Sequence, residues 1–577
     1  MPETAYQILK AFYQQDPDRV CIYLQQAGQP DCPITYGDLI QTAAGWAQYY
    51  QDEGIPPGEV IILILQHGAD LIGAFWGAVL HGAIPSIMPF LTEKLQPDQY
   101  RKDLTALIGV TRPAALVTYP AFEIEVQAAV DGSGIDKQAE RAVPAVLLSG
   151  SVQKVESPDF EQMGGGERGA DDIVFLQHSS GTTGLKKGVA ISHRALLNQL
   201  ESYRQAIHLT RDDVIVSWLP LYHDMGLIAG FLMPVLEGVP LVLMSPFDWV
   251  KAPYRLMQAV TRYRGTLTWL PNFAYNFCAM KIRDSQLQGV DLSSWRAVIN
   301  CSEPMYYNSF RMFEERFKPY GLRPGALATS YAMAENVFGV TQGGIDAPVT
   351  VDEVDVITLQ TEREARPAEA GRPSVKMLSC GRPIPGTQVR VLDEQGRPLP
   401  ERRVGELAVH SNCMLTGYYN RPDATEQAFS DGWYLTGDYG YIADGEVYVT
   451  GRKKDLIIVG GRNVFPQDLE TLASETPGVH PGRVAAFGIF NEATGTEEVA
   501  LVAEVDLSEE ELADDEKRQA LEDAIRLAVN RGSAISLRYI KLVGPNWMIK
   551  TSSGKTSRAA NREKFLAEME SRSTPDP

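Results

Sequence analysis

Cysteine is scarce and scattered. The six thiols, Cys21, Cys32, Cys278, Cys301, Cys380 and Cys413, form no C-x-x-C pair and have no nearby histidine at metal-ligand spacing. That pattern excludes a disulfide framework or a zinc module and leaves reduced structural thiols. Positive charge is also in deficit, with 53 Lys+Arg against 73 Asp+Glu and a formal net charge of −20. Nucleic acid and anionic membrane surfaces are therefore not expected as partners. Long apolar runs are missing too. The most hydrophobic stretch, residues 71–80, is interrupted by glycines and too short to span a bilayer, so no integral membrane association is expected. The first residues, Met-Pro-Glu-Thr-Ala-Tyr, show neither a basic region nor an apolar core, and a cytoplasmic location is the expectation. With so little positive charge, an anionic substrate has to be caught locally, by a few placed cations and backbone dipoles.

What is present is ordinary globular composition, 44% hydrophobic and 22% charged over 577 residues, enough for several domain-sized cores. Short apolar runs at 60–65, 115–118, 214–219, 241–244, 266–270 and 297–300 are separated by longer amphipathic stretches, which predicts layered α/β structure. Asp70 is placed to cap the helix that follows the first of these runs, and the acidic, Gly-rich 164–172 reads as a surface loop. After Cys380 the texture changes. Residues 388–393, 405–410 and 446–450 alternate in the β manner around turn signals such as Asp444-Gly445, predicting an antiparallel subdomain. A small α/β unit follows, with strands at 484–489 and 498–505, a charged helix at 509–530 and a basic tail. The expected division is a large domain over 1–451, with its β-rich part at about 380–451, and a small mobile domain over 452–577. Residues 343–377, rich in Pro, Ala, Gly and acids, form either a loose insert or a specialised module.

Behind the apolar run 173–176 stands Ser179-Ser180-Gly181-Thr182-Thr183-Gly184, with Lys187 three residues on. Glycines let backbone N–H groups close on an anion, hydroxyls add donors without bulk, and the lysine adds mobile charge, so this is a phosphate-holding loop. It is not a Walker loop, because no Lys-Ser or Lys-Thr pair follows the second glycine at the required spacing. Six further segments occur in order: Trp218-Leu-Pro-Leu-Tyr-His-Asp-Met-Gly226, Asn300-Cys-Ser-Glu-Pro304, Tyr331-Ala-Met-Ala-Glu335, Tyr434-Leu-Thr-Gly-Asp438, Gly451-Arg-Lys-Lys-Asp455 and Thr551-Ser-Ser-Gly-Lys555. Together they resemble the adenylate-forming superfamily over residues 34–558. Within it, Pro271-Asn-Phe-Ala-Tyr275 and Gly461-Arg-Asn-Val-Phe-Pro-Gln-Asp-Leu-Glu470 are most similar to fatty acyl-AMP ligases.

The resemblance implies attack of a fatty acid carboxylate on the α-phosphate of ATP, giving acyl-adenylate and pyrophosphate. Two anions must meet, so positioning and local electrostatics should supply most of the catalysis. By the same resemblance Thr182, Thr183 and Lys187 grip the β- and γ-phosphates, and Glu335 holds Mg²⁺, a cation that takes carboxylate oxygens. Lys555 reaches the α-phosphate and the attacking carboxylate, and His223 sits beside the reacting carboxyl. Asp438, assisted by Arg452, takes the ribose hydroxyls. Ser302, Glu303, Pro304 and Tyr331 form the adenine slot, Arg462 is a second phosphate contact, and Lys454 is the pivot of the small domain. Trp218, Met225, Trp269, Phe273 and Tyr275 fit an acyl-channel wall or ordinary core equally well.

The sequence departs from the family pattern in places. Lys186 replaces a usual Pro, Ile549-Lys550 a usual Pro-Lys, Val464-Phe465 a usual His-Tyr, and Ala334 a usual Thr beside the glutamate. Three functions are open at this point. One is transfer of the acyl group to the phosphopantetheine thiol of an acyl carrier protein, another is transfer to free CoA, and the third, supported only by Ala334, is a non-catalytic acyl or nucleotide binder.

Overall fold

In a computed structural model the protein is described over residues 2–90, 97–135, 143–150, 152–178, 187–460, 462–491, 496–533, 535–550 and 555–573. The short apolar runs become strands buried on both faces. Val60–Ile64, Ile84–Ile87, Ala115–Thr118 and Leu241–Met244 are buried at every position, as expected of parallel strands covered by helices. They belong to two large sheets. A nine-stranded sheet runs Arg382–Pro383, Gly339–Gly343, Leu327–Ala332, Ala297–Asn300, Leu267–Leu270, Ile215–Ser217, Leu241–Met244, Val20–Gln25, Cys32–Thr35. A seven-stranded sheet runs Gly417–Tyr418, Gly188–Ser192, Ile173–His178, Ile84–Ile87, Val60–Ile64, Ala115–Thr118, Ala145–Leu148. Residues 71–80 are one buried face-to-face partner of the helix Tyr36–Asp52, not a membrane element. Among the described residues no helix is long and apolar enough to cross a membrane.

The β-rich part after Cys380 is a five-stranded antiparallel sheet built from Thr387–Leu392, Gly405–Ser411, Trp433–Ala443, Phe429–Ser430 and Glu446–Arg452. The smaller domain carries Val479–Asn491, Thr496–Val505 and Leu537–Val543 in one sheet, packed on the helices Pro466–Ser474, Asp515–Ser533 and Arg558–Ser573. Residues 343–377 are not loose. Val351–Asp355 and Ser374–Leu378 pair antiparallel, and between them the helix Val356–Thr361 is capped by Asp355, which accepts from Thr358 N at 2.9 Å.

Two local expectations change. Gly68, not Asp70, occupies the cap of the helix Ala69–His81, and Asp70 sits in its first turn, where a carboxylate favours the helix dipole. The segment after Met163 does lie at the surface, opening with a short 3₁₀ turn in which only Gly165 is buried, so close to the chain that a Cβ there would lie 2.5 Å from Val79 O. The charged helix is two, Glu509–Ala513 and Asp515–Ser533, parted where Asp514 turns extended and its carboxylate accepts from Glu516 N.

One irregularity shapes the centre of the large domain. Met225–Leu232 winds as a π-helix, a rare form that recurs at functional sites. It comes close to the preceding turn because glycines face it: a Cβ on Gly226 would stand 2.2 Å from Pro220 O, and one on Gly230 2.5 Å from Ser217 Oγ. Gly226→Ala should therefore destabilise the large domain by about 3 kcal/mol. Urea denaturation measures this, and a midpoint equal to wild type would contradict the close packing.

Candidate active site

The parallel strands of the nine-stranded sheet bring their carboxyl ends to one side, where crevices in α/β sheets form sites. Leu270 stands beside Asn300 and Asn300 beside Thr329, so the segments after these strands converge. Buried Asn300 donates to Asn272 Oδ1 at 3.0 Å, and Phe273 N donates to Glu303 Oε2 at 2.9 Å, stitching two of these segments together. Ser302 takes a left-handed φ of +68°, unfavourable for a residue with a Cβ and typical of functional turns. Its carbonyl faces the smaller domain and accepts from Lys555 Nζ at 2.5 Å. A lysine from the far tail thus enters the crevice of the large domain.

Around that ammonium lie buried acids. His223 Nδ1 is 2.6 Å from Asp224 Oδ1, with both side chains mostly buried. Burial pushes the Asp224 carboxyl up, but His223 and then Lys555 outweigh it and hold the group below the ordinary carboxylate range. At Glu303 burial wins and the carboxyl is raised, with Lys555 pulling the other way. The Cys301 thiol, buried beside them, is pushed up to about 12 and stays protonated.

Asp438 and Arg452 are register partners across the antiparallel pair Trp433–Ala443 and Glu446–Arg452. Arg452 Nε lies 3.4 Å from Asp438 Oδ1, and Tyr331 OH donates to Asp438 Oδ2 at 2.7 Å. Burial raises the Asp438 carboxyl, opposed first by Arg452 and then by the tyrosine hydroxyl. Lys454, two residues further, is lowered by burial and by Arg452.

Glu335 accepts from Tyr418 OH at 2.8 Å, Tyr418 OH lies 3.1 Å from Tyr434 OH, and Lys187 Nζ stands 4.5 Å from the Tyr418 ring centre. Sequence reading gave Tyr418 no role. It arrives because Gly417–Tyr418 pairs with Val189 and Ala190, more than two hundred residues upstream, and no local pattern announces that. Asp224 and Tyr434 lay inside recognised motifs without a role of their own.

Of the expected site residues, Ser179, Ser180, Gly181, Thr182, Thr183 and Gly184 lie outside the described residues. Their flanks are placed, since His178 pairs with Gly188 in the seven-stranded sheet. His223, Ser302, Glu303 and Lys555 are gathered in one cluster, and Tyr331, Asp438, Arg452 and Lys454 in a second. Arg462 donates to Gln360 of the 343–377 module at 3.4 Å. The aromatic set divides. Trp269 and Tyr275 are core residues satisfied by Tyr203 OH and Val298 O. Trp218 stacks on Trp249 with ring centres 3.6 Å apart, and Phe273, next to Glu303, meets both edge-on.

A family model described as AMP-binding enzyme matches residues 9–419. The chain belongs to the AMP-binding enzymes. It is 30% identical over 562 residues to the medium-chain-fatty-acid–[acyl-carrier-protein] ligase JamA of Moorena producens, covering 94% of this chain and 92% of JamA. A solved structure from work on fatty acyl-adenylate ligases of E. coli and L. pneumophila superposes with a TM-score of 0.86 at 27% identity, over 98% of each chain. The L. pneumophila ligase in complex with acyl adenylate and pyrophosphate is 29% identical, with a TM-score of 0.72 over 98% of this chain and 96% of its own.

For a nucleotide-binding AMP-binding enzyme, the Tyr331–Asp438 pair has a measurable consequence. Tyr331→Phe removes one of the two partners of the mostly buried Asp438 carboxylate and leaves Arg452 alone, a loss of about 1.4 kcal/mol. The KM for ATP should rise about tenfold with kcat little changed, and an unchanged KM would remove Asp438 from the nucleotide site.

Proposed function

We propose that the protein activates a fatty acid with ATP to an acyl-adenylate, releasing pyrophosphate, and passes the acyl group to the phosphopantetheine thiol of an acyl carrier protein. The observation that carries this reading is the Lys555 Nζ contact to Ser302 O at 2.5 Å, beside Asp224 and Glu303. In the reaction a carboxylate oxygen forms a bond to the α-phosphorus while the bond to the β-phosphate oxygen breaks, and no proton need move. The obstacle is repulsion between two anions. One ammonium between them lowers it for both, and a mobile lysine tip can follow the charge as it shifts to the leaving pyrophosphate. His223, oriented by Asp224, is placed to donate to the acyl oxygens. Asp438 with Arg452 takes the ribose, and Tyr331 with the 302–304 segment takes the adenine. Lys187 and the 179–184 loop hold the outer phosphates.

Glu335, whose carboxylate meets the hydroxyls of Tyr418 and Tyr434, suits Mg²⁺ bound partly by nucleotide oxygens. Among the described residues there is no cluster of three or more His, Cys, Asp or Glu side chains to hold a metal unaided, and Mg²⁺ in nucleotide sites commonly uses one or two carboxylates plus phosphates. When bound it neutralises phosphate charge.

The 343–377 module favours the carrier-protein acceptor over CoA. Arg363 Nη2 donates to Asn463 Oδ1 at 3.1 Å, Arg462 reaches Gln360, and Phe465 packs with Val354, Leu359 and Tyr439. These contacts tie the module to the segment just past Lys454 and restrain the rotation that presenting free CoA would need. The division at residues 451 and 452, with Lys454 as pivot, is part of the same proposal.

With dodecanoate, ATP and Mg²⁺ the protein should exchange labelled pyrophosphate into ATP, and added CoA should yield little acyl-CoA. Lys555→Ala should lower exchange by at least about a hundredfold while ATP affinity stays nearly unchanged, since the lysine acts mainly in the transition state. Absence of exchange in wild type would favour the non-catalytic binder, and stoichiometric acyl-CoA would favour the CoA ligase.

A further inference from the structure

The residues flanking 551–554, just before Lys555 and just after it, are fastened to each other. Lys550 bridges to Thr556, and Ser557 N donates to Ile549 O at 3.0 Å. Asn561, fully buried, completes the clamp: its Nδ2 donates to Ile549 O at 2.9 Å and Ser557 O at 2.7 Å, and its Oδ1 accepts from Ile549 N at 2.8 Å. These bonds hold the flanks of Lys555 together within the small domain. They do not aim it at the large one.

Aim comes from the next side chain. Arg558 opens the helix Arg558–Ser573, three residues after Lys555. Its Nε and Nη2 each lie 2.7 Å from the two carboxylate oxygens of Glu470, and its Nη1 lies 2.9 Å from Asp455 Oδ2. Glu470 belongs to the helix Pro466–Ser474 and Asp455 is the residue after Lys454. The cluster also sits on the domain seam, because Tyr306 of the large domain lies close enough to feel the charges of both Glu470 and Arg558 and reaches Thr471 with its hydroxyl. Tyr306 follows Glu303 by three residues, so the seam contact and the Lys555 contact lie on the same short segment.

We propose that Arg558 is a positioning residue for adenylate formation: its guanidinium locks the Lys555 loop to the pivot segment and to the helix Pro466–Ser474, and so sets the reach of the ammonium to Ser302. This rests on the reading that Lys555 acts at the reacting phosphate. The residue type follows from the task. Two carboxylates converge from different elements, one gripped bidentately by a planar fork, and a lysine ammonium offers no such fixed geometry. An error of about 1 Å in a catalytic group costs on the order of a hundredfold in rate, whereas ATP contacts on the large domain are untouched by it.

The experiment compares Arg558→Lys and Arg558→Ala with wild type in dodecanoate-dependent pyrophosphate exchange, with melting temperatures measured in parallel. Arg558→Lys keeps the charge and should remain folded at assay temperature, with kcat reduced about tenfold or more and KM for ATP within about twofold of wild type. Adding guanidinium at millimolar concentration should restore part of the exchange lost in Arg558→Ala. Wild-type kcat in both variants overturns the proposal. So does loss of exchange in Arg558→Ala that guanidinium leaves unrelieved, or a rise in KM that accounts for the whole effect in Arg558→Lys. Full exchange by Lys555→Ala would instead defeat the functional reading on which the proposal rests.

Discussion

The arrangement depends on one contact across a domain boundary, the Lys555 ammonium on the Ser302 carbonyl. Everything on the large-domain side prepares a place for it. Parallel strands deliver Pro271–Phe273 and Cys301–Pro304 side by side, the left-handed Ser302 turns its carbonyl outward, and the π-helix after Asp224 sets His223 and Asp224 at the same edge. On the small-domain side, a clamped loop and a chelated arginine present the lysine. Neither half holds a complete site.

Electrostatics explains why such an arrangement is needed. A chain of net charge −20 has no general attraction for ATP or a carboxylate, and long-range steering opposes both. Charge must therefore be placed locally and out of water, where each interaction is stronger. The crevice contains Asp224, Glu303 and Asp438, all largely withdrawn from water, each answered by a partner: the His223 imidazole and Lys555 for the first, Lys555 for the second, Arg452 for the third. Lys555 serves two of them. Withdrawal of the small domain would leave both without it, which gives the closed arrangement an electrostatic preference before any substrate enters.

Much of this was legible in the residues. Strands such as Ala115–Thr118, Leu241–Met244 and Ala297–Asn300 coincide with their apolar runs because a strand buried on both faces needs apolar side chains at every position. The motif order assigned Ser302, Tyr331, Asp438 and Lys555 to one site before any coordinates, while the Tyr331–Asp438 and Ser302–Lys555 contacts themselves were not foretold. The misses have a common cause. Val479–Asn491 is longer than its apolar core because a bulge carries it through Pro481 and Gly482, and Tyr418 reaches Glu335 only through pairing with a distant strand. Arg462 resembled a phosphate ligand by its place beside glycine, and its contact with Gln360 of the 343–377 module, whose fold no periodicity foretold, was not legible. Local patterns report burial and chain geometry; they do not report which remote side chain completes a hydrogen bond.

The most direct test of the central contact is a crystal structure with a non-hydrolysable dodecanoyl-adenylate analogue. The account predicts the adenosine beside Tyr331 and Asp438, and Lys555 Nζ within about 3 Å of the acyl or phosphate-mimicking oxygens, the range of a charge-assisted hydrogen bond. An analogue bound in that crevice with Lys555 remote from it, or bound away from Ser302 and Asp438 altogether, would contradict it.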